Sequence, residues 1–357
     1  MIEKLQQSTT HVEVESTTLL DFTMLDNPFG CGPHVSQLEG FLKNTKPEKH
    51  PQTSEAIFKK QISDWLSINS SMITLGIGSD ELITNIPKAI LQPDQAGIII
   101  TPTFYRLIEA VEQVGGNIIQ ITATPENQFA CTPSLIEQIL NTTQKANPAL
   151  IWLCTPNNPT GVVFPLETIQ YIAQNTEAIL VVDEAYQEMI DPFNQSSAIQ
   201  LLTSHRNIIV TKTLSKTFGL PKARVGIALS HPHIALALQK QRTKQLPNNS
   251  LLLAEEALLD IDWLVKTSQT ITIERSFFDQ AIKDLTQIKL GSDSQINVCI
   301  LRHQTSNLHE LLEKQGVITT DYNQNNGLEE MKFVRLGLRS RTENLMLIEV
   351  LQQIDST

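Results

Sequence analysis

Cysteine is scarce in this chain. Four are spread over 357 residues, at Cys31, Cys131, Cys154 and Cys299, and no two form a C-x-x-C pair. That spacing argues against a zinc cluster or a disulfide framework as the basis of the fold. Basic residues are in the minority too. With 27 Lys and Arg against 38 Asp and Glu the formal net charge is -11, and no Lys/Arg block occurs. Nucleic acid and anionic membrane are therefore not expected as partners. Long apolar runs are missing as well: residues 1–18 are polar, and elsewhere the apolar runs are only strand length. Neither a signal peptide nor a membrane span is expected, and the chain reads as cytoplasmic. His231 and His233 have no carboxylate or cysteine at ligand spacing, so no metal is expected. No internal repeat is found.

What remains is ordinary globular composition, 41% hydrophobic and 18% charged, in a chain too long for one compact core. Short apolar runs at 97–100, 150–154, 179–182, 208–210 and 225–229 alternate with stretches of helical period. This rhythm predicts an α/β domain with a mostly parallel central sheet covered by helices. Residues 251–285 read as one long helical stretch. Strand-like pieces near 298–301 and 333–338 follow it, which predicts a smaller α+β domain. The expected division is an N-terminal arm over 1–40 that contributes to the small domain, a large domain over 41–245 and a C-terminal small domain over 246–357. The polar run Asn323, Gln324, Asn325, Asn326 reads as a surface loop.

The chemistry gathers where these strands end. In TKTLSKTFGLPKARVG (211–226) a lysine follows hydroxyl residues just past a strand. The amine of Lys216 can form a Schiff base with an aldehyde, best when desolvation lowers its pKa. Thr213, Ser215 and Arg224 supply donors for a phosphate dianion. A P-loop is excluded, because no glycine stands between Val210 and Ser215. In VVDEAY (181–186) Asp183 emerges from a buried strand, where a carboxylate keeps a pyridine nitrogen protonated and lets the ring absorb electrons. Tyr186, and Asn158 of TPNNPTG (155–161), offer donors to a phenolic oxygen on the same ring. By itself Asp183 would as readily cap a turn. In GIGSDELI (76–83) the amides of Gly78, Ser79 and Asp80 open a helix and suit an anion, their side chains mattering less. A dinucleotide fingerprint would need glycine where Glu81 stands. A phosphorylated pyridine aldehyde, pyridoxal 5'-phosphate, satisfies all three segments.

In this order the motifs resemble the fold-type-I pyridoxal-phosphate enzymes, specifically the group containing histidinol-phosphate aminotransferase and threonine-phosphate decarboxylase. LDFTMLDNPFG (20–30) is similar to the family's N-terminal N-x-N-P-x-G segment, and PTF (102–104) to the turn before its ring-stacking residue. FVRLGLRSRTEN (333–344) is similar to its last motif, whose first arginine, here Arg335, binds the substrate carboxylate. A guanidinium fork suits that task on its own chemistry. The resemblance implies a class I/II aminotransferase acting between an amino acid and a 2-oxo acid, with catalytic Lys216, Asp183 and Tyr186, substrate contacts from Arg335 and Asn27, and a homodimer with shared sites. Three positions depart from the family. Leu107 falls where a ring-stacking tyrosine is usual, leaving Phe104 or Tyr105 for that place. His50 replaces a tyrosine that reaches the neighbouring subunit's cofactor, and Thr320 replaces an arginine associated with phosphorylated substrates. Two alternatives follow: a decarboxylase, whose C-terminal wording RLGLRSRTEN approaches, and a binding module without turnover.

Overall fold

The computed structural model describes residues 19–38, 54–322, 327–329 and 331–356. His50, the run 323–326 and half of the N-terminal arm lie outside them. The described chain enters through a two-residue strand, β1 (Leu20–Asp21), and then builds β2 (Ile73–Ile77), β3 (Ala96–Thr101), β4 (Asn117–Thr122), β5 (Leu150–Cys154), β6 (Ile179–Asp183), β7 (Ile208–Thr213) and β8 (Val225–Ser230). The last seven form one sheet in the order β2-β8-β7-β6-β5-β3-β4. β4, β3, β5, β6 and β7 are mutually parallel, whereas β8 runs antiparallel to both β7 and β2.

All five apolar runs are strands of this sheet. β5, β7 and β8 are buried at every residue, because helices cover both faces and leave no solvent side for polar alternation. Successive residues instead feed two different cores. Ile151 and Leu153 join one apolar cluster, while Leu150, Trp152 and Cys154 join the other. The two edge strands carried weaker signals: β2 is interrupted by Thr74 and Gly76, and β4 is half-exposed with Asn117 and Gln120 facing out.

A second, antiparallel sheet consists of β9 (Ile288–Leu290), β10 (Val298–His303), β12 (Thr320–Asp321) and β13 (Phe333–Gly337), in the order β12-β13-β10-β9. β11 (Val317–Ile318) pairs in parallel with β1, and Phe22 packs beside Phe278, Leu301 and Leu336 in the same cluster. The closing helix Arg341–Asp355 starts with a reciprocal cap between Ser340 and Glu343. The single helical stretch expected over 251–285 is in fact two helices, Asn248–Ala257 and Ile261–Ile282. The break comes at Asp260, whose carboxylate accepts the amide N–H of His34 at 3.1 Å. Leu251, Ala254 and Ala257 of the shorter helix pack into the core of the large sheet. That long-range contact leaves no trace in the local period.

Because β5, β6 and β7 are parallel, their carboxyl ends share one rim, the usual ligand side of an open α/β sheet. Antiparallel β8 begins at this rim and β2 ends there. Residues 155–158, Asp183, Thr213, Lys216, Arg224 and Gly78 therefore converge from distant parts of the chain.

Candidate active site

At this rim lies a cleft of about 310 Å³, within the size range of small-ligand sites. Every expected site residue except Gly78 and Asn27 lines it.

Three lysines compete near the end of β7, and strand alternation separates them. Thr211 and Thr213 face the rim, where the Thr211 hydroxyl donates to Asp183 Oδ1 at 2.9 Å. Lys212 points the opposite way and is fully buried. Its ammonium lies 2.9 Å from Glu184 Oε2, 2.8 Å from Glu188 Oε1 and 2.7 Å from Asn194 Oδ1. Lys222 is exposed. Lys216 alone among the three reaches the cleft, with Nζ 3.6 Å from Asp26 Oδ1 and 5.7 Å from the centre of the Tyr186 ring. Burial pulls its pKa below the ordinary lysine range; Asp26 opposes the shift and Arg335 adds to it.

Asp183 is only 3% exposed. Burial lifts its carboxyl from the usual 3.8 to about 6, against the hydrogen bonds from Thr211 and the Ala185 amide. No cation of the described residues forms an ion pair with it. Tyr186 lies three residues on, its hydroxyl pushed above the ordinary range by burial despite the pull of Arg335.

The anion corner differs from expectation in its details. Gly78 has φ +71°, and a Cβ there would stand 2.4 Å from Arg224 Nη2, so only glycine lets the guanidinium lie over the start of the helix Gly78–Ile90. The Gly78 amide does not point at a ligand, because it donates to the Arg224 carbonyl at 2.7 Å. Ser79 and Asp80 are left to face the cleft from the first turn. The Asp80 side chain also matters, contrary to the sequence reading: it accepts Arg224 Nη2 at 2.6 Å. Thr213 and Ser215 are linked by a 3.1 Å hydroxyl contact on the opposite wall.

Arg335 enters from β13. Nη1 donates to Asn158 Oδ1 at 3.2 Å and to the Tyr322 hydroxyl at 3.0 Å; Nη2 donates to the Thr23 carbonyl at 3.2 Å and to Thr320 Oγ1 at 3.0 Å. Its Nε is buried without a partner. All these acceptors are neutral, and no carboxylate of the described residues pairs with the guanidinium. Thr320 is thus a hydrogen-bond partner of Arg335. Of the three residues weighed for facing a ring, Phe104 lines the cleft, Tyr105 is half-exposed outside it, and Leu107 is fully buried in the core.

Asn27 corrects the sequence reading. Its Nδ2 donates to the Thr217 carbonyl at 2.8 Å and its Oδ1 accepts the Phe29 amide at 2.9 Å, so the side chain ties the N-terminal segment to the loop after Lys216 and does not face the cleft. Its neighbour Asp26 does, and sequence reasoning missed it, although the segment containing both had been singled out. Tyr322 was missed as well, since nothing local links it to Arg335.

The family model for aminotransferases of class I and II matches residues 38–351. The chain belongs to the class I and II aminotransferases. This aminotransferase uses pyridoxal 5'-phosphate as its cofactor. A histidinol-phosphate aminotransferase of Methanosphaera stadtmanae is 25% identical over 92% of this chain and 88% of the relative. The fold matches that of the histidinol-phosphate aminotransferase of Clostridium acetobutylicum with a TM-score of 0.84 at 19% identity, covering 95% of this aminotransferase and 99% of the other chain. The Sinorhizobium meliloti histidinol-phosphate aminotransferase in complex with pyridoxal-5'-phosphate gives 0.80 at 21%, over 95% and 91%. No helix among the described residues is long and apolar enough to cross a membrane.

Proposed function

We propose that Lys216 carries the cofactor in this aminotransferase and that the substrates are an amino acid and a 2-oxo acid. One observation carries the reading: Asp183 is a buried, cleft-facing carboxylate raised to about 6 with no cation beside it. Such a group is costly unless a charge meets it, and a protonated pyridine nitrogen is that charge. The other groups fit the same molecule. Ser79, Asp80, Thr213, Ser215 and Arg224 form a donor corner for a phosphate, and Phe104 offers an apolar face for the ring.

Bound pyridoxal phosphate supplies an aldehyde that exchanges amines and a ring that absorbs the electron pair released at the substrate α-carbon. In this assignment Asp183 keeps the ring nitrogen protonated, while Tyr186 and Asn158 hold the ring oxygen. The Arg335 fork grips the α-carboxylate, which orients the α-carbon toward Lys216. Lys216 Nζ, held below the usual lysine range by burial, would take the α-proton and return it. Two half-reactions on one cofactor make the kinetics ping-pong.

All three cations that line the cleft, Lys216, Arg224 and Arg335, are occupied by this scheme. With Thr320 bonded to Arg335, no described cation is left for a phosphate on the substrate, so the favoured donor has an unphosphorylated side chain. The decarboxylase reading has less support, because the matched family and the relative above are aminotransferases by name. A cytoplasmic homodimer with shared sites belongs to the same proposal. So does the division into an arm (1–40), a cofactor unit (41–245) and a C-terminal unit (246–357), with the helix Asn248–Ala257 reaching back onto the cofactor unit. Borohydride reduction of the yellow holoenzyme followed by peptide mapping tests the centre of it. The pyridoxyl group should be found on Lys216; labelling of Lys212 or Lys222 would refute the assignment.

A further inference from the structure

The approach of Asp26 to Lys216 is built into the fold, although 190 positions separate the two segments. Asn27 Nδ2 holds the Thr217 carbonyl at 2.8 Å. Gly219, at φ +68°, packs so closely on this segment that a Cβ would stand 2.3 Å from the Gly30 carbonyl oxygen. On the other side Asn297 Nδ2 donates to the Asp26 carbonyl at 3.1 Å. The Asp26 backbone is therefore anchored from both sides, and its carboxylate is turned into the cleft 3.6 Å from Lys216 Nζ. No other carboxylate of the described residues lies within ion-pair distance of Lys216, and no other described cation lies within that distance of Asp26.

The remaining charges facing Lys216 come from every wall. Arg335 on β13 is cationic, and Asp80 on the helix Gly78–Ile90 is anionic and already paired with Arg224. Asp183 and Tyr186 lie at the end of β6, one facing the cofactor ring in the proposed assignment and the other neutral. Tyr322, also neutral, is bonded to Arg335. Asp26 is the anion of the set whose ion pair among the described residues is with Lys216.

We propose that Asp26 is a positioning residue whose carboxylate sets how tightly the Lys216 nitrogen holds a proton, and with it the pH at which this aminotransferase turns over. The inference rests on Lys216 being the cofactor lysine. As the carboxylate beside it, Asp26 favours the protonated form of the Lys216 nitrogen, and Arg335 opposes it.

The test is a spectroscopic pH titration of the cofactor absorption in wild-type, Asp26→Asn and Asp26→Glu holoenzymes. Asn has the shape of Asp and keeps the backbone carbonyl that Asn297 holds, so the fold is retained. The Asp26→Asn midpoint should fall by about one pH unit, a tenfold weaker hold on the proton. Asp26→Glu should restore most of the loss, and the acid limb of kcat should move with the midpoint. Equal midpoints in wild type and Asp26→Asn, or no titration in either, would overturn the proposal while a borohydride label on Lys216 left the cofactor assignment standing. A label found elsewhere would overturn both.

Discussion

Replacing Asp183 by Asn should disable the enzyme and stabilise the protein without its cofactor. The Asp183 carboxyl rises from an ordinary 3.8 to about 6 on folding, mainly through burial. At 1.36 kcal/mol per pH unit, carrying its charge costs the folded apoprotein about 3 kcal/mol. The sign follows from linkage. A carboxyl raised on folding binds its proton more tightly in the folded than in the unfolded state, so the penalty is absent below pH 3.8, grows as pH rises toward 6 and is complete above that. Between pH 5 and pH 8 the wild-type apoprotein should therefore lose about 1.4 kcal/mol on this account. Asn still accepts the Thr211 hydroxyl through Oδ1, but its amide group needs an acceptor, so the net gain at pH 8 should be about 1–2 kcal/mol. Urea unfolding of cofactor-free wild type and Asp183→Asn at the two pH values measures it, with the variant favoured at pH 8 and nearly level at pH 5. Added pyridoxal phosphate should stabilise wild type more than the variant. A variant less stable than wild type at pH 8, or a difference that ignores pH, would refute the account of Asp183 as an uncompensated buried charge.

Truncating Arg335 to Ala removes the only described cation on the β13 side of the cleft, and kcat/KM for carboxylate donors should fall by about 2–4 kcal/mol, roughly 30- to 700-fold; unchanged kcat/KM would take Arg335 out of the site. Lys212→Met leaves Glu184 and Glu188 buried around an apolar tip, and should cost about 3–5 kcal/mol in urea unfolding while any folded protein still takes the borohydride label on Lys216. A neutral effect on stability would show that the buried cluster is not the charge pair its 2.8–2.9 Å contacts indicate.

Much of this was legible because the signals are local. Unbroken apolar runs marked five strands, since a strand covered on both faces has no room for polar residues. Hydroxyls flanking Lys216, and Asp183 at the end of a run, marked residues that the fold brings to one cleft, since each lies within a few residues of a strand end. The edge strands β2 and β4 were missed because half-covered or interrupted strands lose that continuity. The break at Asp260 was missed because a partner 226 positions away creates it.

From its residues alone this chain determined an α/β sheet, a lysine among hydroxyls just past one strand and a carboxylate at the end of another. Only the tertiary structure decided that Lys212 is buried against Glu184 and Glu188 while Lys216 meets the cleft, that Phe104 and not Leu107 faces it, and that Asp26 rather than Asn27 looks toward the lysine. Strand order and the packing of remote segments determine which neighbours a side chain meets, and neither is written in any local stretch of sequence.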